Sequence, residues 1–212
     1  MRLRAVDLAC IRAGRMVFQG LQFAVGKGEM LAVTGPNGSG KSSLLRLIAG
    51  LLRPARGRLM LDGGDAELSI GEQAHYVGHQ DACKVSLSVG ENLAFWSVML
   101  GGAGPAAALA HVGLDALAEL PALYLSAGQR RRLALARLLA VRRPIWLLDE
   151  PASALDSAGQ GMLCDIIRAH LADGGLVIAA LHGAMDIAAS QELRLTGAPT
   201  IAPTMMELER AP

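Results

Sequence analysis

Cysteine is scarce in this sequence. Cys10, Cys83 and Cys164 are the only three in 212 residues, they lie far apart, and no Cys-x-x-Cys pair occurs. That argues against a disulfide framework or a zinc site and fits a reducing compartment. A charge of one sign is also missing. The net charge is +1, so nothing pulls the chain in bulk toward nucleic acid or acidic lipid, and no nucleic-acid partner is expected. The longest basic run, Arg130-Arg131-Arg132, reads as a solvated helix face. The opening Met1-Arg2-Leu3-Arg4 lacks the apolar stretch of a signal peptide. No repeat or low-complexity tract is present, which argues against a solenoid. The one charge-free stretch that approaches membrane-spanning length, Leu93 to Ala110, is broken by Gly101-Gly102-Ala103-Gly104-Pro105. It reads as a buried helix, a loop and a second helix.

What is present is a large apolar content, 52% against 18% charged residues, enough for one α/β domain with a small insert. Leu21 to Val25 alternates and Gly26 to Glu29 reads as a turn. Met30 to Thr34, Ile145 to Leu148 and Leu176 to Leu181 are continuous apolar runs of the buried-strand type. Arg58 to Leu61 and His75 to Val77 read as further strands. Ser42 to Leu52 and Ser157 to Leu171 have helical spacing, and Glu91 to Ala140 is helical and rich in alanine. Strands alternating with helices imply a mainly parallel sheet covered on both faces. The block at about 91–140 forms an inserted helical subdomain. No period is visible after Leu195.

Gly35-Pro36-Asn37-Gly38-Ser39-Gly40-Lys41-Ser42 fits the phosphate-loop pattern G-x-x-x-x-G-K-[ST] at every position. It follows a buried strand and opens a helix, the context that motif requires. The glycines turn backbone N–H groups toward phosphates, Lys41 supplies positive charge, and Ser42 offers a hydroxyl to Mg²⁺. Asp149 ends a buried strand, where a carboxylate can hold a water of Mg²⁺. Glu150 beside it is placed to act as general base toward the attacking water.

The string Leu125-Ser126-Ala127-Gly128-Gln129 resembles the signature of ABC ATPases, LSGGQ, with alanine in place of one glycine. The family order continues with Asp149-Glu150, then Pro151 to Asp156 like its D-loop, then His182 at its switch-histidine position. Gln80 stands where the family has its Q-loop. The resemblance spans about residues 1 to 195. It implies an α/β phosphate-loop NTPase with a RecA-like, mainly parallel core, N-terminal antiparallel β elements and a short inserted helical subdomain. It implies a homodimer of ATPase subunits, with ATP and Mg²⁺ clamped between the phosphate loop of one copy and Ser126, Ala127, Gly128 and Gln129 of the other. His182 would contact the γ-phosphate, and Gln80 would touch Mg²⁺ or the attacking water. The family stacks adenine on an aromatic residue near the position of Arg12. Here either the Arg12 guanidinium stacks on the base or Arg12 is a surface residue without a role.

Within that family, Tyr76-Val77-Gly78-His79-Gln80-Asp81-Ala82-Cys83-Lys84, with the later Glu91-Asn92-Leu93-Ala94-Phe95-Trp96, resembles the ATPases of c-type cytochrome maturation. This implies a peripheral subunit on the cytoplasmic side of the bacterial inner membrane. Its partners would be an integral membrane permease subunit and haem-handling maturation proteins, and turnover would drive haem export or release of a haem-loaded chaperone. The loop from Gln80 to Val89 is the expected membrane-subunit contact. His75 and His79 are not read as haem ligands. The alternatives are an ABC ATPase for another cargo, such as lipid or peptide, and a soluble non-transport ABC ATPase.

Overall fold

The computed structural model describes residues 1–101, 106–182 and 186–196. Among these residues, eight strands and five α-helices run in the order β1 (Arg2–Arg12), β2 (Arg15–Gly26), β3 (Met30–Thr34), α1 (Lys41–Ile48), β4 (Arg56–Asp62), β5 (Ala74–Val77), α2 (Val89–Met99), α3 (Ala106–His111), α4 (Ala127–Ala140), β6 (Ile145–Asp149), α5 (Ser157–Ala172), β7 (Leu176–Ala180) and β8 (Gln191–Arg194). The strands form two sheets. β2-β1-β4 is antiparallel, and β5-β6-β7-β3-β8 is parallel throughout.

The apolar runs at β3, β6 and β7 become the centre of the parallel sheet, and every residue of β6 and β7 is buried. Successive side chains point to opposite faces. Leu31, Val33, Ile145, Leu147, Leu176 and Ile178 meet α1 and the antiparallel sheet through Leu44, Leu45, Leu3 and Phe18. Met30, Trp146, Leu148, Val177 and Ala179 face α4 and α5 through Leu135, Leu163 and Ile167. Each such aliphatic side chain contributes about 1.5–3 kcal/mol on burial, which is why these runs define the sheet. The loops that follow β3, β6 and β7 then emerge on one edge of the sheet, at the carboxyl ends of these parallel strands.

Between β5 and β6 lie α2, α3, two short 3₁₀ turns and α4, around an apolar cluster of their own that includes Val89, Leu93, Leu109, Leu114 and Leu133. Within the stretch from Leu93, α2 ends at Met99 and α3 starts at Ala106. Residues 102–105, in the expected loop, lie outside the described residues. None of the described helices is long and apolar enough to cross a membrane. The three cysteines are free. The stretch without a period after Leu195 lies outside the described residues from position 197 onward.

Three elements differ in extent from their sequence reading. The alternating stretch Leu21 to Val25 extends to the whole of β2, paired antiparallel with β1. The strand read at Arg58 to Leu61 runs over the whole of β4, also antiparallel to β1. α1 stops at Ile48 rather than Leu52, because Gly50 adopts a left-handed conformation (φ 75°) that ends the helix.

Candidate nucleotide site

β3 hands the chain into the phosphate loop and α1 takes it out. Gly40 has φ 105°, and a Cβ there would stand 2.5 Å from Val17 Cγ1 of β2. Only glycine fits this turn, which aims the N-terminus of α1 at the loop. Lys41 is 6% exposed. Its Nζ donates to the carbonyls of Gly35 at 2.8 Å and Pro36 at 3.2 Å, so the ammonium sits inside the loop. Ser39 Oγ is buried and takes no hydrogen bond among the described residues.

The end of β6 approaches the same loop. Ser42 Oγ donates to Asp149 Oδ1 at 3.0 Å, and Asp149 is 1% exposed. On its other oxygen Asp149 accepts from Tyr76 OH at 3.4 Å, and Arg46 Nε donates to that hydroxyl at 3.3 Å. Burial raises the Tyr76 pKa above its ordinary value, so the phenol remains a donor. Glu150 follows in a left-handed backbone conformation (φ 50°), its N–H bonded to Ala180 O at 3.0 Å. One carboxylate oxygen lies 3.9 Å from His182 Nε2 and the other 4.0 Å from His79 Nδ1. His182 Nε2 also donates to Asn37 Oδ1 of the phosphate loop. Two imidazoles thus flank one carboxylate, and one of them bridges to the loop.

Ser126 caps α4. Its Oγ accepts from Gln129 N at 3.1 Å while Gln129 Oε1 accepts from Ser126 N at 2.8 Å, a reciprocal capping box. Gln129 therefore spends its side chain on the cap. A Cβ at Gly128 would stand 3.0 Å from Ala154 O, so the signature turn rests on the loop after β6. Asp156 caps α5 through Gly159 N and accepts from Arg132 at 2.8 Å. The backbone bond from Gly159, followed by Arg132, lowers its pKa.

The basic run is not a solvated face. Arg131 is 2% exposed and bonds to Gly78, Asp81, Asp149, Glu150 and Pro151. A signal for this was present: positions 131, 134, 135 and 138 share the buried stripe of α4. Tyr76 and His79, also in contact with the site, were quoted in the sequence string without a role. Gln80 is exposed and makes no hydrogen bond among the described residues, so nothing ties it to Ser42 or Asp149 here. Arg12 is exposed at the end of β1, beside the turn Ala13-Gly14 that leads into β2. A groove of about 610 Å³ opens beside the Gly78–Ala82 loop, lined among others by Arg46, Tyr76, His79, Trp96, Leu100 and Arg137.

A phosphate loop facing a buried strand-end carboxylate, together with a serine-capped signature helix, is the arrangement of an ABC ATPase. The chain belongs to the ABC transporter family, whose model matches residues 18–153. It is an ATP-hydrolysing transporter component. It is 59% identical over 200 residues to the cytochrome c biogenesis ATP-binding export protein CcmA of Nitrobacter winogradskyi, covering 93% of this chain and 100% of that one. The protein of the same name from Bradyrhizobium diazoefficiens is 61% identical over 199 residues, covering 93% and 99%. A putative ABC transporter ATP-binding protein from Pyrococcus furiosus shares the fold, with a TM-score of 0.78 at 24% identity, covering 92% of this chain and 98% of that one.

Proposed function

We propose that this chain is the ATPase subunit of an ABC system for cytochrome c biogenesis, and that it works as a homodimer on the cytoplasmic face of the bacterial inner membrane. The observation that carries the reading is the identity of about 60% with CcmA proteins over their whole length. The cytochrome c biogenesis named for those relatives extends in this reading to this chain, and its work here is haem export or release of a haem-loaded chaperone to maturation proteins.

In this reading ATP enters the loop Gly35–Ser42, and Lys41 exchanges the carbonyls of Gly35 and Pro36 for phosphate oxygens. Ser42 Oγ and the buried Asp149 carboxylate are hard oxygen donors at 3.0 Å from each other, a pair that fits Mg²⁺. That ion would neutralise charge on the phosphates, with Gln80 joining from its loop. Glu150 accepts a proton from the attacking water. His182, braced by Asn37 and close to Glu150, contacts the γ-phosphate. The exposed Ser126 turn, at the N-terminus of α4, meets the γ-phosphate held by the second copy. The Arg12 guanidinium, exposed at the end of β1, stacks on the adenine.

The partner is an integral membrane subunit, seated in the groove beside Gln80. Leu51, in its lining, is 62% exposed, and Val98 and Met99, next in sequence to the lining residue Leu100, are 79% and 65% exposed. The test is genetic. A cell whose only copy carries Glu150→Gln should make the protein but attach no haem to c-type cytochromes, as read by haem-stained gels. Normal cytochrome c in that cell would remove the proposal.

A further inference from the structure

Arg131 lies on the signature helix, yet all of its hydrogen bonds go elsewhere. A guanidinium has five N–H donors in a fixed plane, and each one here has an acceptor. Nε donates to Pro151 O at 3.1 Å, and Nη2 donates to Asp149 O at 2.9 Å and Glu150 O at 2.7 Å. Nη1 donates to Gly78 O at 2.8 Å and Asp81 Oδ1 at 3.0 Å. The first three acceptors are consecutive carbonyls of the turn leaving β6, where Glu150 holds a φ of 50°. A non-glycine residue in that region is strained and persists only where its surroundings enforce it. The last two acceptors bracket His79 and Gln80. Among the described residues Asp81 is the one carboxylate paired with this cation, and the side chains are 3% and 23% exposed.

We infer that Arg131 and Asp81 form a positioning pair: Arg131 fixes the backbone that aims Glu150, and Asp81 fixes the loop that carries His79 and Gln80 against it. Neither residue touches the nucleotide. The pair makes the distance between the Glu150 turn and the His79-Gln80 loop depend on one planar cation. Lysine offers donors from a single point and cannot span these acceptors. Loss of the Asp81 charge leaves the buried cation uncompensated and frees the loop.

The test uses the full chain in complex with its membrane subunit, with ATPase kinetics and thermal melting measured side by side. Asp81→Asn should lower kcat about tenfold or more while KM for ATP stays within about twofold, the pattern of an interaction lost in the transition state. Asp81→Glu should recover most of kcat. Arg131→Lys should also lower kcat, and adding it to Asp81→Asn should cost little more, since residues acting as a unit are not additive. Wild-type kcat in Asp81→Asn overturns the inference, as does a raised KM with kcat kept, or losses that multiply in the double variant. A melting temperature lost in Asp81→Asn and restored by Asp81→Glu without return of kcat overturns it as well.

Discussion

At the residue scale, the proposed roles put charge and proton transfer on different side chains, so they should separate in kinetics. Lys41→Ala removes the cation inside the loop and should weaken ATP binding by about tenfold or more, because charge-assisted contacts to phosphate are the strong ones. Glu150→Gln keeps the volume and loses the proposed base. It should bind ATP as before and turn over about 10²–10⁴-fold more slowly, the usual contribution of a positioned acid or base. Nucleotide titration beside an ATPase assay distinguishes the two, and an equal loss of binding in both variants would contradict the roles. Residues with contiguous motifs were legible in the sequence: the loop Gly35–Ser42, Asp149, Glu150 and the Ser126 turn. Arg131 was misread, because its acceptors lie up to 53 positions away and a basic run carries no sign of them. The sequence string contains Tyr76 without revealing its role, which comes from a hydroxyl set between Arg46 and Asp149.

At the scale of elements, strands buried on both faces announced themselves as unbroken apolar runs, as β3, β6 and β7 show. β1 did not, because its alternation is broken by register shifts near Asp7, which has φ 52°. β8 is a polar edge strand, Gln-Glu-Leu-Arg, and has no apolar run to find. Helices α2, α4 and α5 start at the side-chain caps Ser88, Ser126 and Asp156, and such caps can be measured. Ser126→Ala removes half of the capping box and should cost about 1 kcal/mol in urea denaturation, in keeping with other lost N-caps. Gly40→Ala should cost more, roughly 1–3 kcal/mol, because the added methyl meets Val17 in a left-handed conformation. A Gly40→Ala chain as stable as the parent would mean that β2 does not pin the phosphate loop.

At the scale of the whole molecule, acid should unfold the protein through its interior histidines. His75 is 4% exposed and donates from Nε2 to Val141 O at 2.7 Å. Burial, with Arg143 and Arg137 nearby, pushes its pKa down to about 4. His170, stacked on Trp146 at 3.8 Å, is pushed to about 4, also chiefly by burial. A base whose folded pKa is lowered takes up protons more readily in the unfolded chain. Stability is therefore complete above about pH 6.5 and falls as pH drops toward 4. His75 alone should cost about 2 kcal/mol by pH 5, and the less enclosed His170 less than that. Urea midpoints at pH 7 and pH 5 test this; an unmoved midpoint would show that these rings take up protons without loss of the fold.

In the proposed dimer, a triphosphate held by the loop of one chain is completed by the Ser126 turn of another. Sedimentation velocity of the Glu150→Gln chain, run with and without ATP and Mg²⁺, tests it most directly. The chain should sediment as a monomer alone and as a dimer once ATP is added. A chain shown to bind ATP that still sediments as a monomer would contradict it.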